Sequence, residues 1–133
     1  MTRRECDALF APHNRLADVA EDTMGAIEIL KMARELIAEP AGWITERYAT
    51  DADGRSVVVT ADSAVRFCSL GAVDRAAYLA GQYSKQHRVR AEGALYRAAR
   101  AVGALGVTRL NDTRTHREVL AMFDRAIESL ERK

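Results

Sequence analysis

The most regular hydrophobic pattern in the chain lies near its C-terminal end. Val119, Met122, Phe123, Ala126, Ile127 and Leu130 recur at helical spacing with charged residues between them, so the helix they predict buries one face. Thr115 and Glu118 mark its start as a Thr-x-x-Glu capping box. There a hydroxyl and a carboxylate each satisfy a backbone N–H left open at the helix end. His116 projects onto the same apolar face, within the first turn.

Three further helices follow from the same periodicity. The first covers Thr23 to Glu39, with Ala26, Ile27, Ile29, Leu30, Ala33, Leu36 and Ile37 on a wide apolar arc, and Pro40 stops it. Leu16 and Val19 extend its stripe, so a start at Asn14 fits equally well. Residues 1–22 are otherwise expected to form an arm, loosely ordered or partly helical. The second helix is expected over Ala64 to Ala80, capped by Asp62 or Ser63. It is apolar on two sides, through Val65, Cys68, Ala72, Val73, Ala76 and Leu79 on one and Phe67, Leu70 and Tyr78 on the other. That pattern predicts the centre of a bundle. The third covers His87 to Leu105 on a stripe of Ala91, Leu95, Ala98, Ala99 and Val102, with Gly106 closing it.

Between the first two helices the pattern changes. Residues 43–50 and 55–60 are rich in β-branched and aromatic side chains, and Asp51-Ala52-Asp53-Gly54 between them is a strong turn. This predicts a β-hairpin at about 43–60. The expected fold is therefore mostly α (α+β): a four-helix single domain over 23–133 with one β-hairpin between helices one and two. The Asp-x-Asp-Gly run lacks the further oxygen ligands and closing Glu of a calcium loop.

Composition narrows the function more by exclusion than by assignment. Twenty basic and nineteen acidic residues give a net charge of +1, so whole-molecule charge selects no nucleic-acid or membrane partner. No apolar run approaches a membrane span. Two cysteines, Cys6 and Cys68, are too few for a disulfide framework, and one lies in a polar segment while the other lies in an apolar one. A cytoplasmic location is expected. His13, His87 and His116 are scattered and neither cysteine has a close-spaced partner, so no metal and no cofactor is expected.

Four fragments carry a resemblance. They are Ala41-Gly42-Trp43 with Tyr48-Ala49 and Gly54 following; Ala64 to Ala72 around Cys68; Asn111-Asp112; and Arg114-Thr115-His116 with Glu118-Val119-Leu120. In order and spacing the chain is similar, from about Met24 to Ile127, to an uncharacterised family of small bacterial and phage proteins known only as a domain of unknown function. Trp often precedes the Cys and the Asn-Asp pair in that family; Phe67 and Leu110 stand there in this chain. The resemblance implies one folded unit and a phage or mobile-element setting. It implies no activity, cofactor or partner.

The sharpest chemical constellation is Cys68 as nucleophile, His116 as base and Asp112 as the group orienting it, with Asn111 as a substitute orienter. A position near a helix start would lower the thiol pKa. Against this, cysteine is commonly a small buried hydrophobe, Asn111 beside a helix start is ordinary capping chemistry, and no Gly-rich oxyanion motif flanks Cys68. A second feature is basic: Lys85 to Ala101 holds five basic residues and one acid, and Arg90, Arg97 and Arg100 share a face. Such a row could meet phosphates or an acidic protein, although any solvated helix carries charges outward. The third is apolar: Tyr48 and Val58, the latter within Val57-Val58-Val59, make the hairpin a candidate contact surface. The balance favours a small non-enzymatic protein that binds another protein, a second copy of itself included. Nucleic acid is the less favoured partner.

Overall fold

The computed structural model describes residues 12–81 and 85–132, with side chains of the first helix described from residue 20. The expectation of an N-terminal arm therefore lies outside the described residues over 1–11, as does Cys6. Among the described residues there are five helices: α1 (Pro12–Leu36), α2 (Ser69–Leu79), α3 (Lys85–Ala101), α4 (Val107–Thr113) and α5 (His116–Glu131). The sequence pattern predicted four. The addition is α4, a two-turn helix too short to show a stripe of its own; Val107, Leu110 and Asn111 are its buried residues.

Helix α1 starts well before Thr23, at Pro12. Proline fits a first helical turn because its missing N–H would have had no partner there. The helix packs on α2, α3 and α5, and Ala26, Ile29, Leu30 and Ala33 are buried along it. Helix α3 packs on α1, α2, α4 and α5. Its inward face is Ala91, Ala94, Leu95, Ala98 and Ala99, and small side chains let helix axes approach closely. The core is thus centred on α1 and α3, not on α2 as its two-sided pattern suggested. Tyr78 and Leu79 remain exposed on α2, and residues 64–67 precede it rather than belonging to it.

Those four residues explain the displaced boundary. Arg66–Phe67 is strand β2, paired antiparallel with β1, Ala49–Thr50. A small two-stranded antiparallel sheet is present as expected, but its second strand comes from 66–67 and not from 55–60. Phe67 is buried and also bridges Trp43 in parallel, so the aromatic ring anchors both sides of the sheet. The turn closes as its sequence predicts. Asp51 Oδ1 accepts from the N–H groups of Asp53 (3.0 Å) and Arg55 (2.9 Å), Gly54 takes φ 83°, and Thr50 bridges Ser56. Beyond it the chain turns back, and Arg75 holds the return by donating to Val59 O (3.0 Å) and Ala61 O (2.8 Å).

Cys68, not Asp62 or Ser63, caps α2, because the backbone stays extended through the strand until that residue. Helix α3 ends at Ala101, five residues before Gly106. Gly103 takes φ 84°, its N–H bonds Arg100 O (3.0 Å), and the N–H of Ala104 bonds Ala99 O (3.0 Å), which is a Schellman closure. Gly106 instead precedes α4. The capping box of α5 forms as expected, with Glu118 N–H donating to Thr115 Oγ1 (3.2 Å) and Thr115 N–H to Glu118 Oε1 (3.4 Å).

Candidate functional site

A single buried amide ties the irregular parts of the chain together. Asn111 is 1% exposed. Its Oδ1 accepts from Trp43 Nε1 (2.8 Å), Ser69 N (2.9 Å) and Ser69 Oγ (2.7 Å); its Nδ2 donates to Ile44 O (3.1 Å) and Asp112 Oδ1 (3.0 Å). Asp112 Oδ1 also accepts from Glu46 N–H (2.9 Å), and Glu46 sits at φ 66°, a conformation that costs a non-glycine residue. Asn111 therefore does not cap α5. It joins α4, the head of α2 and the segment before β1.

Of the three residues of the thiol constellation, Cys68 and Asp112 meet. Both line a depression of about 130 Å³ with Arg47, Tyr48 and Thr108. His116 is not in its lining. His116 Nε2 lies 2.6 Å from Ile37 O, just past the end of α1, and its ring lies 5.3 Å from that of Trp43. A carbonyl can only accept, so Nε2 carries the proton and points into the scaffold. Cys68 Sγ accepts from Gly71 N–H (3.3 Å) as the α2 cap. Burial pushes this thiol above its usual pKa. The N–H groups of Gly71 and Leu70 pull it down, and the Asp112 and Asp74 carboxylates push it up again. The helix start acts in the expected direction, but desolvation outweighs it. The thiol stays protonated near neutral pH, and the charge beside it has the wrong sign to activate it.

The arginine face is shallow. Arg90 and Arg97 border a surface groove with Gln86, Val89 and Gly93, while Arg100, also exposed, is not part of it. Among the described residues, no three His, Cys, Asp or Glu side chains come together in a way that would hold a metal ion. No helix among them is long and apolar enough to cross a membrane.

The most unusual surface was only half visible in the sequence. Tyr48 is 60% exposed, Val58 70%, Tyr96 49% and Leu105 68%. Tyr48 and Val58 border a trench of about 690 Å³, and Tyr96 and Leu105 a second depression of about 460 Å³. Leu70 lines both, and the Cys68 depression as well, so the three adjoin around that side chain as one hollowed face across α2, α3 and the β1 loop. Within it stand Asp74, Arg88 and Glu92. Arg88 Nη1 donates to Glu92 Oε1 at 3.2 Å and lies 3.8 Å from Asp74 Oδ1. Burial, then the Glu92 carboxylate, raise Asp74 to about 6, partly opposed by the Arg88 guanidinium; a carboxyl–carboxyl hydrogen bond adds to the rise. The sequence signals for this cluster were slight. Glu92 is the one acid in a basic helix, and Asp74 the one acid of a mostly apolar helix.

The model for DUF6197, a family of unknown function, matches residues 21–129. The chain belongs to this family. No curated protein and no solved structure matches it. The DUF6197 match covers nearly the whole described chain and agrees closely with the span of the sequence resemblance, Met24 to Ile127. All the fragments that carried the resemblance converge within that span. Trp43 and Ser69 bond Asn111, and His116 packs against Trp43. Phe67 and Leu110 are both buried and fill the core.

Proposed function

We propose that this protein acts by binding another protein through the hollow around Leu70, without chemistry of its own. The observation that carries this is the presence of Tyr48, Val58, Tyr96 and Leu105, four large exposed apolar side chains, along two adjoining depressions that share Leu70. Contiguous apolar hollows rimmed by polar groups are what interaction sites present. The contrasting readings draw less support. The Cys68 thiol is raised in pKa and His116 is engaged elsewhere, which leaves thiol catalysis by Cys68, His116 and Asp112 without a base. Arg90, Arg97 and Arg100 present charge with no aromatic platform or base-reading side chain between them, so nucleic-acid binding rests on charge alone. The resemblance to small bacterial and phage proteins suggests an accessory, regulatory or inhibitory role in the cytoplasm.

Site-specific photo-crosslinking tests this. A benzoylphenylalanine at Tyr48 or Leu105 should give a discrete crosslinked species in the source cell. The same group at Arg97 should not. Equal crosslinking from both faces, or none from either apolar position, would count against the hollow as the working surface.

A further inference from the structure

Resting on that reading of the hollow, the geometry points to the kind of segment it takes: a partner peptide that places one basic side chain, lysine or arginine, between apolar ones. The apolar part follows from the walls: Tyr48 and Val58 line one depression beside Leu70, and Tyr96 and Leu105 line the adjoining one. The basic part follows from the charges in the central trench. Two carboxylates, Asp74 and Glu92, face a single guanidinium, Arg88. Arg88 is committed to Glu92 at 3.2 Å and reaches Asp74 only at 3.8 Å, and among the described residues Asp74 Oδ1 has no hydrogen-bond partner. Among those residues the trench is one positive charge short.

Two carboxyl groups in contact cannot both ionise at ordinary cost, and Asp74 is accordingly raised to about 6. Below that pH a proton makes up the charge; above it the carboxylate is ionised at a cost, and a lysine or arginine arriving between the apolar contacts relieves it. The charged and titratable groups that act on Asp74 or feel it are Glu92 and Arg88 of α3 and the Cys68 thiol at the head of α2; the β1 side contributes Tyr48. Arg47 and Arg109 line only the flanking depressions. The preference for a cation is thus confined to the middle of the hollow, where a basic residue with apolar neighbours fits and an acidic one does not.

The test is selection of a random peptide library on the full chain, counter-selected on the Tyr48→Glu variant, followed by fluorescence anisotropy of the enriched peptides. The expected peptides carry lysine or arginine two or three positions from leucine, phenylalanine or valine. Replacing that basic residue by glutamine should weaken binding at least about tenfold at pH 7.5, the effect of losing a desolvated charge pair. The advantage of the basic peptide should shrink by about tenfold at pH 5, where the proton competes for Asp74. Glu92→Lys should abolish binding and restore it for a peptide with glutamate in place of the basic residue, a rescue that a misfolded variant cannot give. Enriched peptides that are apolar without a basic residue would overturn the inference while leaving the hollow as the working surface. Concentration-dependent dimerisation, abolished by Tyr48→Glu, with no peptide enriched would overturn it in favour of a second copy of the chain. No enrichment and no dimer would remove both the inference and the reading beneath it.

Discussion

Asp74 offers the most quantitative check on the energetics of this surface. Its carboxyl lies among Leu70, Val57 and Glu92, and its side chain is 22% exposed. The folded-state pKa is raised from 3.8 to about 6, so the native protein holds a proton that the unfolded chain releases. Stability from such a group is fully present below the unfolded value and is lost as pH rises through the folded one. At about 1.4 kcal/mol per unit, the ionised carboxylate costs the folded state up to about 3 kcal/mol above pH 7. Residual solvent lowers this, and about 1–3 kcal/mol is expected.

Asp74→Asn keeps the shape and removes the ionisation. Urea unfolding followed by far-ultraviolet circular dichroism, for both proteins between pH 4 and pH 8, isolates the effect because other carboxylates titrate alike in each. The variant should come close to the wild type near pH 4 and exceed it by about 1–3 kcal/mol at pH 8, most of the change falling between about pH 4 and 6. A variant less stable than the wild type at pH 8 would refute the reasoning. It would mean that the long contact with Arg88 more than compensates for burial and for Glu92.

Four other outcomes follow from the contacts described. Asn111→Ala leaves the N–H of Ser69, its hydroxyl and the Trp43 indole N–H without their acceptor; it should destabilise by about 3–5 kcal/mol in the same unfolding assay. Gly71→Ala places a Cβ 2.0 Å from Tyr48 O, a backbone atom, so the β1 segment must shift, with a loss of about 2 kcal/mol or more and a changed environment for Tyr48 by fluorescence. Thr115→Ala removes the α5 cap and should cost about 1 kcal/mol, seen as a lower urea midpoint at unchanged slope. Alkylation of Cys68 by iodoacetamide should be slow at pH 7, still rising above pH 9, and unaltered by His116→Ala; a rate that falls in that variant would revive the thiol reading.

What the sequence made legible was whatever rested on local periodicity and capping. The α5 stripe and the Thr115–Glu118 box depend on residues within a turn of one another, and both are found where the pattern puts them. The Asp51–Gly54 turn is equally local. Failures came where a distant partner decides. Arg66–Phe67 has helical neighbours in sequence but pairs with Ala49–Thr50, and that pairing sets the start of α2. Apolar residues on both sides of the 64–80 segment suggested a central helix, yet Val65 and Phe67 belong to the strand end and Tyr78 and Leu79 stay exposed. Asn111 looked like a cap because asparagine before a helix usually is one. Its five hydrogen bonds reach residues up to 68 positions away, and nothing in the local pattern announces them. Asp74 and Glu92 lie in different helices, so their contact was equally hidden.

The buried amide and the exposed hollow are mechanically one object. Asn111 Oδ1 holds both the N–H and the hydroxyl of Ser69, the first residue of α2, and Cys68 caps that helix against Gly71. Leu70, at the centre of the hollow, lies between those two anchors, and Asp74 lies one turn further on. On the other side, Asp112 fixes Glu46 in its left-handed conformation, two residues before Tyr48. The N–H of Cys68 bonds Tyr48 O at 3.2 Å, and Gly71 lets that carbonyl approach. Both walls of the trench are therefore positioned through the Asn111–Asp112 pair, although Asn111 makes no contact with the central trench. A substitution at Asn111 that left the chain folded would displace Tyr48 and Leu70 together and lower affinity for any segment in the hollow, basic or not. A substitution at Glu92 would change only which charge is accepted. Uniform loss in one variant and inverted preference in the other separate positioning from recognition, and a Glu92 variant that weakened all segments alike would place that carboxylate with the scaffold.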